Sequence, residues 1–113
     1  MGVRDAIVAG DAEAFKSALS PEVVWIGVLP GMLCRNRMEV AAMLDRAAVR
    51  ASAFSPEIVA DREGKIVVDP HMSPPPELYP NLHQVLVLAD EQIVEMRDYP
   101  DREAALAALE TPW

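Results

Sequence analysis

The stretch "SPEVVWIGVLPGMLCRNRMEV", Ser20 to Val40, changes its apolar period partway along. Val23 to Val28 is a run rich in β-branched residues around Trp25, which predicts one buried strand. "LPGMLC" reads as the turn after it, and Asn36 followed three residues later by Glu39 is a capping-box signature. Val40, Leu44, Ala47 and Ala48 then place an apolar stripe on a helix that runs to about Arg50. A strand feeding a helix through one short turn implies a sheet with a helix folded back upon it.

Working outward, Val3 to Ala9 is helix-prone and ends in Gly10, after which Asp11 can cap a second helical turn. Val8, Ala12, Phe15 and Leu19 form one stripe at helical spacing, and Pro21 stops it. From Pro56 the period becomes two: "EIVAD", the turn "REG" and "KIVVD" read as a hairpin. "HQVLVLA" and "QIVEMRDY", separated by Asp90 and Glu91, read as a second, its first strand apolar on both faces and so covered on both. Pro100 ends the ladder, Asp101 caps, and Ala104 to Leu109 close with a helix. The order predicts a single α+β domain over 1–113, with helices on one face of a largely antiparallel sheet.

Composition removes several classes of function. Ten basic against eighteen acidic side chains give a formal charge of −8, so nucleic acid is repelled. The apolar run "VVWIGVLPGMLC" is too short to cross a bilayer, and acids interrupt the N-terminal region where a secretory signal would lie. One cysteine, Cys34, allows no internal disulfide. A cytoplasmic setting is the expectation, with no membrane partner.

The turn "AGDAEAF", the run "SPEVVWIGVLPG" leading into "CRNRMEV", and the ending "IVEMRDYPDREAALAAL" resemble the nuclear transport factor 2-like superfamily, which includes ketosteroid isomerases and polyketide cyclases. The resemblance implies a cone in which a curved, mostly antiparallel sheet wraps around helices and leaves an apolar cavity. It also implies pairing as a homodimer through the outer sheet face. The ketosteroid isomerase pattern does not carry over: its helix tyrosine falls on Val3, its strand-one base on Gly27 and its protonated acid on Gln84. Neither valine nor glycine can move a proton. The same register sends Trp25, Gly27, Gln84, Leu86, Leu88, Val94, Met96 and Asp98 toward the cavity and His83 away from it.

Asp98 is the acid–base candidate, because a carboxylate facing an apolar cone is desolvated and holds its proton more tightly. The bland alternative is a carboxylate that bonds backbone amides near "YPD". Trp25 could stack on a flat ligand or be core; Gln84 could orient a carbonyl or be satisfied by a neighbour; Met96 is wall. The expected ligand-binding set is therefore Trp25, Gly27, Gln84, Leu86, Met96 and Asp98. Asp69, His71 and His83 do not make a metal site by spacing alone, and neither metal nor cofactor is expected. The proline-rich stretch Asp69 to His83 is either a lid carrying Leu78, Tyr79 and His71 or an ordered connector, and the connector is preferred. The functional expectation is a small-molecule-binding protein for a small apolar ligand. The alternatives are a lyase, isomerase or cyclase with Asp98 as general base and Gln84 or Tyr99 as its partner, or a non-catalytic dimeric interaction module.

Overall fold

The computed structural model describes residues 2–29, 31–50, 56–73, 75 and 77–110, and for 47–50 the backbone only. Helix α1 (Val3–Ala9) ends at Gly10, whose φ of 67° is the left-handed conformation that glycine adopts without a Cβ penalty. Asp11 accepts from the Ala14 amide at 3.0 Å and opens helix α2 (Ala12–Ser17). Because the chain turns at Gly10, the expected single stripe does not form. Helix α1 buries Val3, Ala6 and Ile7, while Val8 is 73% exposed and Leu19 belongs to the next strand.

Strand β1 (Leu19–Ile26) begins earlier than the β-branched run suggests. It accommodates the exposed Pro21 where its register with a neighbour breaks, between Leu19 and Val24. "LPGMLC" is more than a turn: Leu33 and Cys34 form β2 (Leu33–Cys34), antiparallel to β1 with Trp25 opposite Cys34 and Ile26 opposite Leu33. Helix α3 (Arg37–Arg50) is capped reciprocally, the Glu39 amide donating to Asn36 Oδ1 and Glu39 Oε1 accepting from the Arg35 amide. Its Val40 is fully buried; the side chains of Ala47 and Ala48 lie outside the described residues.

Strands β3 (Glu57–Arg62) and β4 (Lys65–Asp69) join through Glu63 and Gly64. Strands β5 (His83–Ala89) and β6 (Gln92–Tyr99) join through Asp90 and Glu91. All four turn residues have positive φ, as two-residue hairpins with right-handed strand twist require. The sheet runs β2-β1-β6-β5-β4-β3, with β1 parallel to β6 and every other pair antiparallel. A bulge between Val87 and Leu88 places Leu88 opposite Ile93, so Ile93, not the expected Val94, joins the inner core.

Helices α1 to α3 cover one face around Leu19, Val23, Ile66, Leu86, Ile93 and Met96. Helix α4 (Arg102–Leu109), capped by the Asp101 carboxylate on the Ala104 amide, packs against Val67 and Val85 on the other face. Helices on one face only was therefore the wrong expectation. The doubly apolar β5 explains why: Leu86 needs cover on the inner face and Val85 on the outer.

Gly27 is placed by close approach. Its amide donates to Met32 O at 2.7 Å, and a Cβ built on it would lie 2.6 Å from Met32 Cβ. Gly27→Ala should lower stability by about 1–3 kcal/mol, measured by urea unfolding, because the β1–β2 reversal must open to accept a methyl group. An unchanged midpoint would show that this contact is not constrained.

Candidate functional site

Strand pairing lays two rows of side chains across the inner face. One is Ile66, Leu86, Met96 and Trp25; the other, one pleat along, is Val68, Gln84 and Asp98. In the second row the sheet carries polar groups inside its own core. Asp98 Oδ1 accepts from Trp25 Nε1 at 2.8 Å and from Gln84 Nε2 at 3.0 Å. Burial pushes the Asp98 carboxyl up to about 6, although both hydrogen bonds pull it the other way. Burial dominates because the ionised form has lost most of its water and has only two neutral donors in its place.

Next to this triad is a recess of about 280 Å³, at the small end of ligand pockets. Ile7, Phe15, Leu44, Val68, Leu86 and Met72 supply apolar walls, and Trp25 and Gln84 supply the polar one. Asp11, Lys16 and Asp45 also line it, but they are already engaged. Asp11 caps α2, and Lys16 Nζ lies 2.9 Å from both Asp45 Oδ1 and Glu13 Oε1. A second depression, by Pro21, Asn36, Arg37, Met38 and Ala41, is open to the surface and has no buried polar group.

Of the residues expected at the site, Trp25, Gln84 and Leu86 line the recess. Asp98 is one hydrogen bond behind the wall they make. Met96 is fully buried in the core, and Gly27 faces Met32 at the β1–β2 reversal. The proline-rich connection contributes Pro70, Met72 and Leu82 to the lining; Leu78 is 75% exposed. The contribution of α1 and α2, through Ile7, Phe15 and Lys16, was not foreseen. Its signal was Gly10, whose left-handed turn separates α1 from α2 and which itself lines the recess.

His83 does turn from the recess. It is 4% exposed, its Nδ1 is 2.6 Å from Asn81 O, and its Nε2 accepts from Arg102 Nε at 3.4 Å. Asp69 gathers the neighbouring polar groups: Oδ1 accepts from the His71 amide, while His71, His83 and Arg102 approach Oδ2 at 3.5, 3.4 and 3.6 Å. Glu57, Asp69 and His71 bring one donor atom each within 4.8 Å of one another, a grouping that spacing alone missed because Glu57 comes from β3. The Arg102 guanidinium already supplies positive charge to Asp69. Cys34 is buried and its thiol is pushed up, chiefly by burial, which suits a small core residue and not a nucleophile.

No protein-family model matches this sequence, and no curated protein matches it. Solved structures do. An NTF-2 like protein of unknown function from Burkholderia xenovorans LB400 superposes with a TM-score of 0.64 at 14% identity, covering 84% of this chain and 73% of that one. A hypothetical protein with a ketosteroid isomerase-like fold from Catenulispora acidiphila DSM 44928, in complex with trimethylamine, gives 0.59 at 13% identity over 98% and 91% of the two chains. A SnoaL-like protein of unknown function from Burkholderia thailandensis E264 gives 0.59 at 15% over 84% and 85%. Identities this low speak for the backbone alone, and with the six-stranded sheet and its layer of helices they establish that this chain has the nuclear transport factor 2-like fold.

Proposed function

We propose that this protein binds a small, largely apolar molecule in the recess between its helical layer and the inner face of β1, β4 and β5. The carrying observation is the polar wall itself: Trp25 and Gln84 line an apolar hollow while both bond a largely buried carboxylate. That carboxylate costs stability. With its pKa raised from 3.8 to about 6, Asp98 holds its proton more tightly in the native state than in the unfolded chain. Its contribution is best at low pH and is lost as the pH rises from about 4 to 6, leaving a cost of about 3 kcal/mol at neutrality. A single change to asparagine would remove the cost and keep an acceptor for Trp25 and Gln84. A residue that is expensive to bury and sits beside a hollow fits a binding role better than a structural one.

The hollow also favours binding over an interaction module filled by its own side chains, and a protein of this fold in complex with trimethylamine supports a ligand of small size. Proton affinity near neutrality supports a second reading, a lyase, isomerase or cyclase with Asp98 as general base. Against it, Asp98 does not line the recess, and the Trp25 and Gln84 donors that could hold a developing oxyanion are turned to Asp98 instead. A homodimer would use the part of the outer face that α4 leaves open, near the exposed Ile26 and Leu33.

Asp98→Asn should be more stable than the parent by about 1–3 kcal/mol in urea unfolding at pH 8, with the gap closing toward zero at pH 4. An equal loss at both pH values would mean that Asp98 only holds structure. For the recess, Ala12→Trp places an indole at its mouth on the exposed side of α2. Small apolar amphiphiles screened by NMR should shift the signals of Ile7, Phe15, Val68 and Leu86 in the parent but not in this variant. Shifts confined to other residues would move the site elsewhere.

A further inference from the structure

The polar wall carries an imbalance that narrows what can rest against it. Trp25 Nε1–H and one N–H of Gln84 both go to Asp98 Oδ1. Neither Gln84 Oε1 nor Asp98 Oδ2 has a donor among the described residues, yet no buried side-chain oxygen or nitrogen there is left without a partner. Neither oxygen is therefore sealed off, and of the two residues Gln84 is the one that lines the recess, with Asp98 one hydrogen bond behind it. Both are acceptors, and the second Gln84 N–H is the one donor this wall sets against them.

Charge points the same way. No cationic side chain among the described residues pairs with Asp98. The cation at the mouth, Lys16, is held by Glu13 and Asp45, and the other mouth carboxylate, Asp11, caps α2. Across β1, Cys34 is a buried thiol whose burial disfavours its charged form. An anionic ligand would meet repulsion from Asp98 in a low-dielectric space, and a neutral one would leave the carboxylate uncompensated. A cation supplies the missing partner, and the lining rings of Phe15 and Trp25 are surroundings that ammonium groups favour.

Resting on the pocket reading above, we propose that the ligand class is a small apolar amine. Its hydrocarbon body lies among Ile7, Phe15, Val68 and Leu86, and its N–H groups meet Gln84 Oε1, with the Asp98 carboxylate held behind by the nitrogen of the same amide. No covalent step is involved; recognition is by hydrogen-bond direction and by charge.

Three near-isosteric probes separate the possibilities by calorimetry on the unmodified protein at pH 7.5: cyclohexylmethylamine, cyclohexylmethanol and cyclohexanecarboxylate. The amine should bind at least about tenfold more tightly than the alcohol, with the carboxylate weakest. In Asp98→Asn the preference of amine over alcohol should fall to parity. Alcohol binding equal to or tighter than the amine in the parent, or a preference that survives in Asp98→Asn, would overturn the amine class while leaving the pocket standing. Silence from all three probes in the parent would remove the pocket reading, and this inference with it.

Discussion

Strand β6 lies between β1 and β5, and its alternation decides which side chains meet inside the sheet. The row Ile66, Leu86, Met96 and Trp25 is the anchor. Its three aliphatic members are almost wholly buried, and truncating such a side chain typically costs 2–5 kcal/mol. A slip of one residue would turn that row outward and bring Val85 and Arg97 in, so burial enforces the register. The polar row of Gln84 and Asp98 is carried inward by the same register without contributing to its strength. Core packing thus holds a carboxylate where its own solvation energy would not place it.

Within that frame, Asp98 is tolerated because two neutral donors reach it. Trp25 extends its indole from β1 to the neighbouring row, and Gln84 meets Asp98 as its cross-strand partner. The direction of these bonds has consequences for chemistry. Donors committed to Asp98 are not free to stabilise a developing oxyanion, whereas the acceptors left over suit a ligand that donates. A fold shared with ketosteroid isomerase-like and SnoaL-like proteins does not by itself carry a reaction, since chemistry depends on which groups remain unspent in the hollow.

The opposite face has a separate logic. Helix α4 seals Val67 and Val85, and its first residue, Arg102, reaches back to His83 and Asp69 at the end of the sheet. That network ties the start of the proline-rich connection to the closing helix. Pro70, Met72 and Leu82 from the same connection border the recess on the other side. One connecting segment therefore joins the two faces, with its polar groups engaged at one and its apolar groups at the other.

Elements defined by local chemistry were legible in the sequence: the β-branched run around Trp25, the Asn36–Glu39 cap, both hairpins (the first with Arg62 counted in its turn instead of its strand) and the Asp101 cap each depend on residues within a few positions of one another. So was the company of Trp25, Gln84 and Asp98, because strand alternation and a family register are enough to choose a face. Tertiary structure decided the rest. It ended the N-terminal stripe at Gly10, paired Leu33 and Cys34 with β1, moved Ile93 into the core by a bulge and sent α4 to the outer face. It also brought Glu57 beside Asp69 and set Asp98 behind the wall instead of in it. The physical reason is separation along the chain: periodicity states which way a side chain points, but the depth of a hollow and the partner of a carboxylate depend on how distant strands and helices close upon one another.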